Sequence, residues 1–202
     1  MAKQKQLTRK KIVSAAWKLF YKQGYDNTTV DEIIKESGTS KGTFYHYFDG
    51  KDGLLSSLST LFDDKYEELM PRLAEQESCF DQLILLNREL FEMIETSISR
   101  ELLASLYSSQ LTTKGAKHLM DQNRVYYRLL NEIIAEGQQK GELTREMSSY
   151  EMAKMYALCE RGLLYDWCLC NGEYSLTAYA AKMMPLFLLG IQKQGSVKKG
   201  MY

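Results

Sequence analysis

A chain of 202 residues, 45% hydrophobic and 26% charged, has the make-up of a soluble globular protein and is long enough to bury a good core in one large domain or two small ones. The formal net charge is zero, but residues 1 to 60 hold ten Lys/Arg against six Asp/Glu, or +4, and residues 61 to 202 hold sixteen against twenty, or −4. Two prolines, 13 glycines and a near absence of alternating β-branched runs exclude a mainly β fold and predict an all-α chain. No apolar run approaches the roughly 20 residues that span a bilayer. The basic start MAKQKQLTRKK is followed by an apolar stretch broken at Ser14 and Lys18, which cannot serve as a signal-peptide core. A cytoplasmic protein is expected, with no membrane contact and with Cys79, Cys159, Cys168 and Cys170 as reduced thiols.

In chain order, residues 1 to 7 are polar and are expected to be mobile or to lie against DNA. Thr8 can cap a first helix with a stripe of Ile12, Ala15, Ala16, Leu19 and Phe20, and Gly24 stands where a helix-ending glycine belongs. Thr29 and Glu32 form a capping box for a second helix, whose stripe is Ile33 and Ile34 and which Ser37 and Gly38 stop. Ser40 is a cap for a third, in which Phe44 and Phe48 stand at i, i+4. Two short helices joined by a Gly-containing turn of about three residues are a helix-turn-helix, whose second helix can enter the major groove. With Phe44 and Phe48 inward, Lys41, Thr43, Tyr45 and His46 share the other face. That face carries a cation, hydroxyls and an imidazole and no carboxylate, which suits phosphates and base edges.

The segment GYDNTTVDEIIKESGTSKGTFYHYFDGKDGLL, Gly24 to Leu55, resembles the N-terminal domain of the TetR family of transcriptional regulators. It departs from the family pattern at Thr39, where a small apolar residue is usual, and at Asp49-Gly50, where a Lys or Ser is common; the second change removes positive charge beside the phosphates. The resemblance, together with the chemistry of the side chains, implies roles at nine positions. Thr29 and the helix it caps would hold a phosphate, Ser40 would cap the recognition helix, and Lys41 and Lys51 would contribute charge. Gly42 would let the backbone close on DNA, Thr43 and His46 would read base edges, and Tyr45 and Tyr47 would reach phosphates.

Lys51 opens a fourth helix with Leu54, Leu58, Leu61, Phe62, Tyr66, Leu69 and Leu73 at helical spacing, kinked or ended by Pro71. A period of about 3.6 residues runs on from Phe80, and a shorter segment covers Arg100 to Gln110. A long helix is predicted from about Lys114 to Gln139, ended by Gly141. Ser148 and Glu151 form a second capping box for a helix reaching Cys170, Asn171-Gly172 closes it, and Leu176 to Ile191 makes the last, bent at Pro185. A three-helix DNA-binding domain over residues 1–50 and a C-terminal helical bundle over 51–202 for ligand binding and dimerisation, about nine helices in all, are what the resemblance implies. It also implies a homodimer through the last two helices, in line with their wide apolar faces.

Enzyme chemistry finds little support. His46 and His118 have no acidic residue three places before them, and neither a Gly-x-Ser-x-Gly elbow nor a Walker glycine loop occurs, so no catalytic residue, cofactor or metal is assigned. Cys159, Cys168 and Cys170 could form a thiol-based sensor, but Cys159 and Cys168 are nine apart and do not stack on one helix face. Tyr66, Phe91, Tyr107, Tyr126, Tyr127, Tyr156 and Trp167 belong to helices that surround a small-molecule cavity in the family; each is also an ordinary core aromatic. Cys159 is a further lining candidate. The expectation is a DNA-binding repressor, released from a palindromic double-stranded operator by a small apolar or aromatic effector. A ligand-free DNA-binding or architectural protein and a redox-sensing regulator are the alternatives.

Overall fold

The computed structural model of the chain describes residues 2–112, 114 and 117–193. Among them are nine α-helices: α1 (Ala2–Gln23), α2 (Val30–Ser37), α3 (Lys41–Tyr47), α4 (Lys51–Ala74), α5 (Cys79–Ser97), α6 (Arg100–Thr112), α7 (Val125–Lys140), α8 (Ser149–Leu169) and α9 (Leu176–Leu189). A 3-10 turn spans His118–Met120, and the one extended pairing among the described residues is an isolated bridge between Leu143 and Gln192. The fold is all-α, as composition predicts. Two compact units are formed by the described residues of Met1–Leu61 with Ile98–Met120, and of Phe62–Ser97 with Asp121–Tyr202.

The first unit sets the 22-residue α1 against two short, capped helices, α2 and α3. Ile12, Ala16, Phe20, Ile33 and Phe44 are fully buried or nearly so, and Phe44 stacks on Phe48 at 5.9 Å. α1 starts about two turns earlier than its Thr8 cap signal suggests. Thr8 is an interior residue whose hydroxyl donates to the Gln4 carbonyl, because Ala2 to Leu7 contain no residue that opposes a helix.

The second unit packs α5 against α9 and α7, with α8 against α7 and α9. Of the predicted α4 stripe, Phe62, Tyr66, Leu69 and Leu73 are buried, while the side chains of Leu58 and Leu61 lie outside the described residues. Pro71 falls in the last turn of α4, where losing one backbone donor ends the helix without a break in its middle. The helix predicted from Lys114 starts only at Val125. Asp121 takes hydrogen bonds from the Asn123 backbone and side chain, at 2.9 and 3.1 Å, and this local turn competes with helix. Arg124 then holds Asp63 with two parallel hydrogen bonds of 3.1 and 2.9 Å.

Both predicted capping boxes are present, at Thr29 with Glu32 and at Ser148 with Glu151. Another cap is long-range. Glu95 of α5 accepts from the backbone N–H groups of Leu176 and Thr177 at 3.1 and 3.0 Å and from the Thr177 hydroxyl at 2.6 Å, so the start of α9 is held by a carboxylate 81 residues away. Burial works against that carboxyl's charge, but the hydrogen bonds from Thr177, Ser175 and Leu176 outweigh it and hold its pKa below the usual range.

Candidate nucleic-acid interface and effector region

The turn between α2 and α3 follows from local chemistry. Gly38 is left-handed (φ 63°), its N–H bonds to the Lys35 carbonyl, and the Thr39 N–H bonds to that of Ile34, the paired closure that a helix-ending glycine allows. Thr39, the departure from the family pattern, spends its hydroxyl on Ser37 at 2.8 Å, so the turn closes with a hydroxyl pair where a small apolar residue is usual.

The sequence-derived DNA residues divide by what their donors already do. Ser40 accepts the Thr43 N–H at 3.1 Å, and the two hydroxyls pair at 2.8 Å, so half-buried Thr43 serves the cap. Lys41, Gly42, Tyr45 and His46 are exposed together on α3, and Tyr47 is half-buried. Thr29 donates both its N–H and its hydroxyl to Glu32, and Asp31 also stands in that first turn. Lys51 donates to the carbonyls of Tyr25 at 2.7 Å and Asp26 at 3.4 Å and sits 4.2 Å over the Tyr25 ring. The Tyr25 hydroxyl donates to Asp52. Lys51 thus locks the turn before α2 against the start of α4.

In the second unit, the predicted effector residues Tyr66, Tyr126 and Tyr127 form one aromatic run, with successive ring centroids 5.0 Å apart. Phe91 and Tyr156 are fully buried, and the Tyr156 hydroxyl donates to the Leu83 carbonyl at 2.7 Å. Trp167 is buried too, but its indole N–H donates to Tyr174, which assigns it to the α8–α9 corner. Cys159 is half-buried, 3.7 Å from the Met184 sulfur. Tyr107 is half-buried on α6 and belongs to the first unit, whereas the other effector candidates belong to the second.

What sequence reasoning missed is the polar group among these rings. Glu160, 3% exposed, accepts from Asn87 at 2.8 Å and from the Tyr126 hydroxyl, and Arg161 donates to the Tyr127 hydroxyl at 3.0 Å. Burial pushes the Glu160 carboxyl up against the opposing pull of Asn87, Tyr126 and Tyr156, and burial likewise raises the Tyr126 and Tyr156 hydroxyls. The signal was available: Glu160 stands four residues after Tyr156, inside the buried stripe of α8.

Burial is also the main reason the Cys79, Cys159 and Cys170 thiols are raised. A cleft of about 720 Å³ lies at the ends of α7 and α9, lined by Lys140, Leu143, Arg145, Leu189 and Lys193 among others; none of the predicted effector residues lines it. Among the described residues, no group of three or more His, Cys, Asp or Glu is placed to hold a metal ion, and no helix is long and apolar enough to cross a membrane.

A doubly capped helix, a left-handed glycine turn and a short second helix with one exposed cationic and aromatic face define a helix-turn-helix DNA-binding protein. Comparison with known proteins carries this to a family. Residues 12–58 match the bacterial regulatory proteins of the tetR family, and residues 61–190 match the C-terminal region of YsiA-like proteins. The chain is 24% identical to the fatty acid metabolism regulator protein of Bacillus subtilis over 196 residues, covering 95% of this chain and all of that one. It is 30% identical to the HTH-type transcriptional regulator QacR of Staphylococcus aureus over 141 residues, 65% of this chain and 71% of the relative. Among solved structures, the TetR-family repressor FadR of Thermus thermophilus, in complex with lauroyl-CoA, superposes with a TM-score of 0.79 at 25% identity, covering 96% and 100% of the two chains. FadR of Bacillus subtilis, in complex with stearoyl-CoA, gives 0.71 at 22% identity, covering 91% and 99%. This chain belongs to the tetR family of bacterial regulatory proteins and is a DNA-binding transcriptional regulator.

Proposed function

We propose that the protein is a homodimeric repressor whose operator affinity is lowered by a fatty acyl thioester of coenzyme A. The observation that carries the DNA half is the exposed face of α3, where Lys41, Gly42, Tyr45 and His46 stand together with no carboxylate among them. Two copies of α3, one per subunit, would enter successive major grooves roughly 34 to 36 Å apart on a palindromic site. The Lys41→Ala and Tyr45→Ala variants are expected to lose binding to duplex fragments enriched from genomic DNA by the wild type, with unchanged circular dichroism. Wild-type affinity in both would remove α3 from the interface.

The dimer reading is supported by two exposed stripes. Leu158, Tyr165 and Leu169 of α8 and Tyr179, Met183 and Leu186 of α9 repeat at helical spacing, and three of these leucines are more than 60% exposed. A second copy presenting the same stripes would form a four-helix contact.

The effector reading refines the expected small apolar ligand. It rests on the full-length match to a fatty acid metabolism regulator and on the Thermus thermophilus repressor that holds lauroyl-CoA. The buried aromatic run from Tyr66 to Tyr127 and Tyr156 offers apolar surface for an acyl chain. Lauroyl-CoA or stearoyl-CoA is expected to raise the melting temperature and to release DNA, whereas coenzyme A alone does neither. If no acyl-CoA changes DNA affinity, the ligand-free alternative replaces this reading. The raised Cys79, Cys159 and Cys170 thiols weigh against a redox sensor, since the thiolate is the reactive form.

A further inference from the structure

The positive charge of the N-terminal unit does not lie on the recognition helix. α1 holds seven Lys/Arg and no Asp/Glu, a charge of +7, whereas residues 24 to 60, which include α2 and α3, hold three Lys/Arg against six Asp/Glu, a charge of −3. Of those three cations, Lys51 is bound to the carbonyls of Tyr25 and Asp26, and Lys41 stands 3.6 Å from Asp31. Duplex DNA carries one negative charge per about 1.7 Å of axis. A helix pair with an excess of carboxylates would be repelled by that field, so attraction has to come from another element.

Register and contact place that element. At 3.6 residues per turn, Lys5 and Arg9 continue the stripe on which Ile12, Ala16 and Phe20 are buried. The guanidinium of Arg9 lies 5.5 Å from the centre of the Phe48 ring, and Phe48 is the C-cap of α3, so this end of α1 is held beside the end of the recognition helix. Lys5 stands roughly 6 Å further along the helix axis. Lys10 is exposed about 100° around the helix from Arg9 and Lys11 is exposed on the far side, and Lys5, Lys10 and Lys11 make no ion pair among the described residues. Lys18, lower on the same helix, is by contrast bridged to Glu36 at 2.5 Å.

We infer that the first three turns of α1 are a second DNA-contacting element: Lys5, Arg9 and Lys10 bind backbone phosphates flanking each half-site and supply most of the sequence-independent affinity. The recognition helix then supplies selectivity with little charge of its own. This division rests on the DNA-binding assignment, and it has a signature that needs no operator sequence, because phosphate contacts appear in the salt dependence of binding to any duplex.

The test is fluorescence anisotropy of the full-length protein on a random-sequence duplex of about 30 base pairs, over roughly 50 to 200 mM salt, where each phosphate contact adds about 0.9 to the slope of log K against log salt. In the homodimer each substitution occurs twice. Lys5→Gln/Arg9→Gln is therefore expected to reduce the slope by about 3 to 4 and to weaken binding by more than tenfold at 0.1 M salt, while Lys18→Gln leaves the slope nearly unchanged. Because Arg9 packs on Phe48, Lys5→Gln/Lys10→Gln serves as a variant that disturbs no packing, and a reduction of similar size is expected there. A steep wild-type slope that both double variants retain overturns this inference and leaves the DNA-binding assignment standing. A wild type with no salt-dependent binding overturns both.

Discussion

Glu160 sits where an apolar residue would ordinarily pack, and its raised pKa makes a stability statement with a definite sign. A carboxyl whose folded pKa lies above its unfolded value contributes stability that is fully present below the unfolded pKa, about 4.3, and is lost as pH rises through the folded value. Glu160→Gln stays neutral and can still accept from Tyr126 or Asn87, so its stability relative to wild type is expected to rise between pH 4 and 8. Urea midpoints across that range measure it; parallel curves for the two proteins would show that the carboxyl is not strained by burial. Gly137 of α7 makes a different kind of demand. A Cβ there would lie 2.5 Å from the Cys79 sulfur and 2.9 Å from its Cβ. Ala favours a helix over Gly by about 1 kcal/mol, but overpacking costs about 1 to 3 kcal/mol, so Gly137→Ala is expected to destabilise by on the order of 1 kcal/mol. Combining it with Cys79→Ala is expected to recover part of the loss in a double-mutant cycle; full additivity of the two would contradict the clash.

Helix ends show how much of each element was written locally. Thr29, Ser40 and Ser148 all accept the backbone N–H three residues on, and the carboxylates Glu32 and Glu151 complete two boxes. The start of α9 has its own local cap in Ser175, and Glu95 is added to it from another helix. A depressed carboxyl contributes stability that is present above its unfolded pKa and lost as pH falls through the folded one. Glu95→Gln is therefore expected to destabilise by about 1 kcal/mol at pH 7, the order of one cap, with the difference shrinking as pH falls below about 4. Equal stability of the two proteins at pH 7 would mean that the α9 start needs no carboxylate.

For the whole molecule, the proposed mechanism couples two sites, and coupling free energies are commonly about 1 to 3 kcal/mol, with DNA weakening effector binding as much as effector weakens DNA. Both halves depend on the dimer. Light scattering at micromolar concentration is expected to give twice the 23.3 kDa chain mass. Leu158→Glu/Leu186→Glu, which changes exposed positions and leaves the subunit core alone, is expected to give folded monomers with operator affinity reduced at least tenfold. A variant that remained dimeric would move the interface off these helices.

The sequence by itself determined what short-range chemistry controls: the helix-turn-helix between Thr29 and Phe48, both capping boxes, and the all-α class. Each depends on residues within about one helical turn of one another, where side chain and backbone meet regardless of the rest of the chain. Where nearby residues compete, the sequence was less decisive. The Asp121–Asn123 turn displaced the start of α7 to Val125, and a run of good helix formers carried α1 back to Ala2. Only the tertiary structure decided that Lys51 is spent on backbone carbonyls, that Glu95 caps a helix 81 residues away, and that Glu160 meets Asn87 and Tyr126 in the core. Those partners lie 26 to 81 residues apart. A side chain's hydrogen-bonding capacity can be read from its type, but which distant group satisfies it is set by how the helices pack.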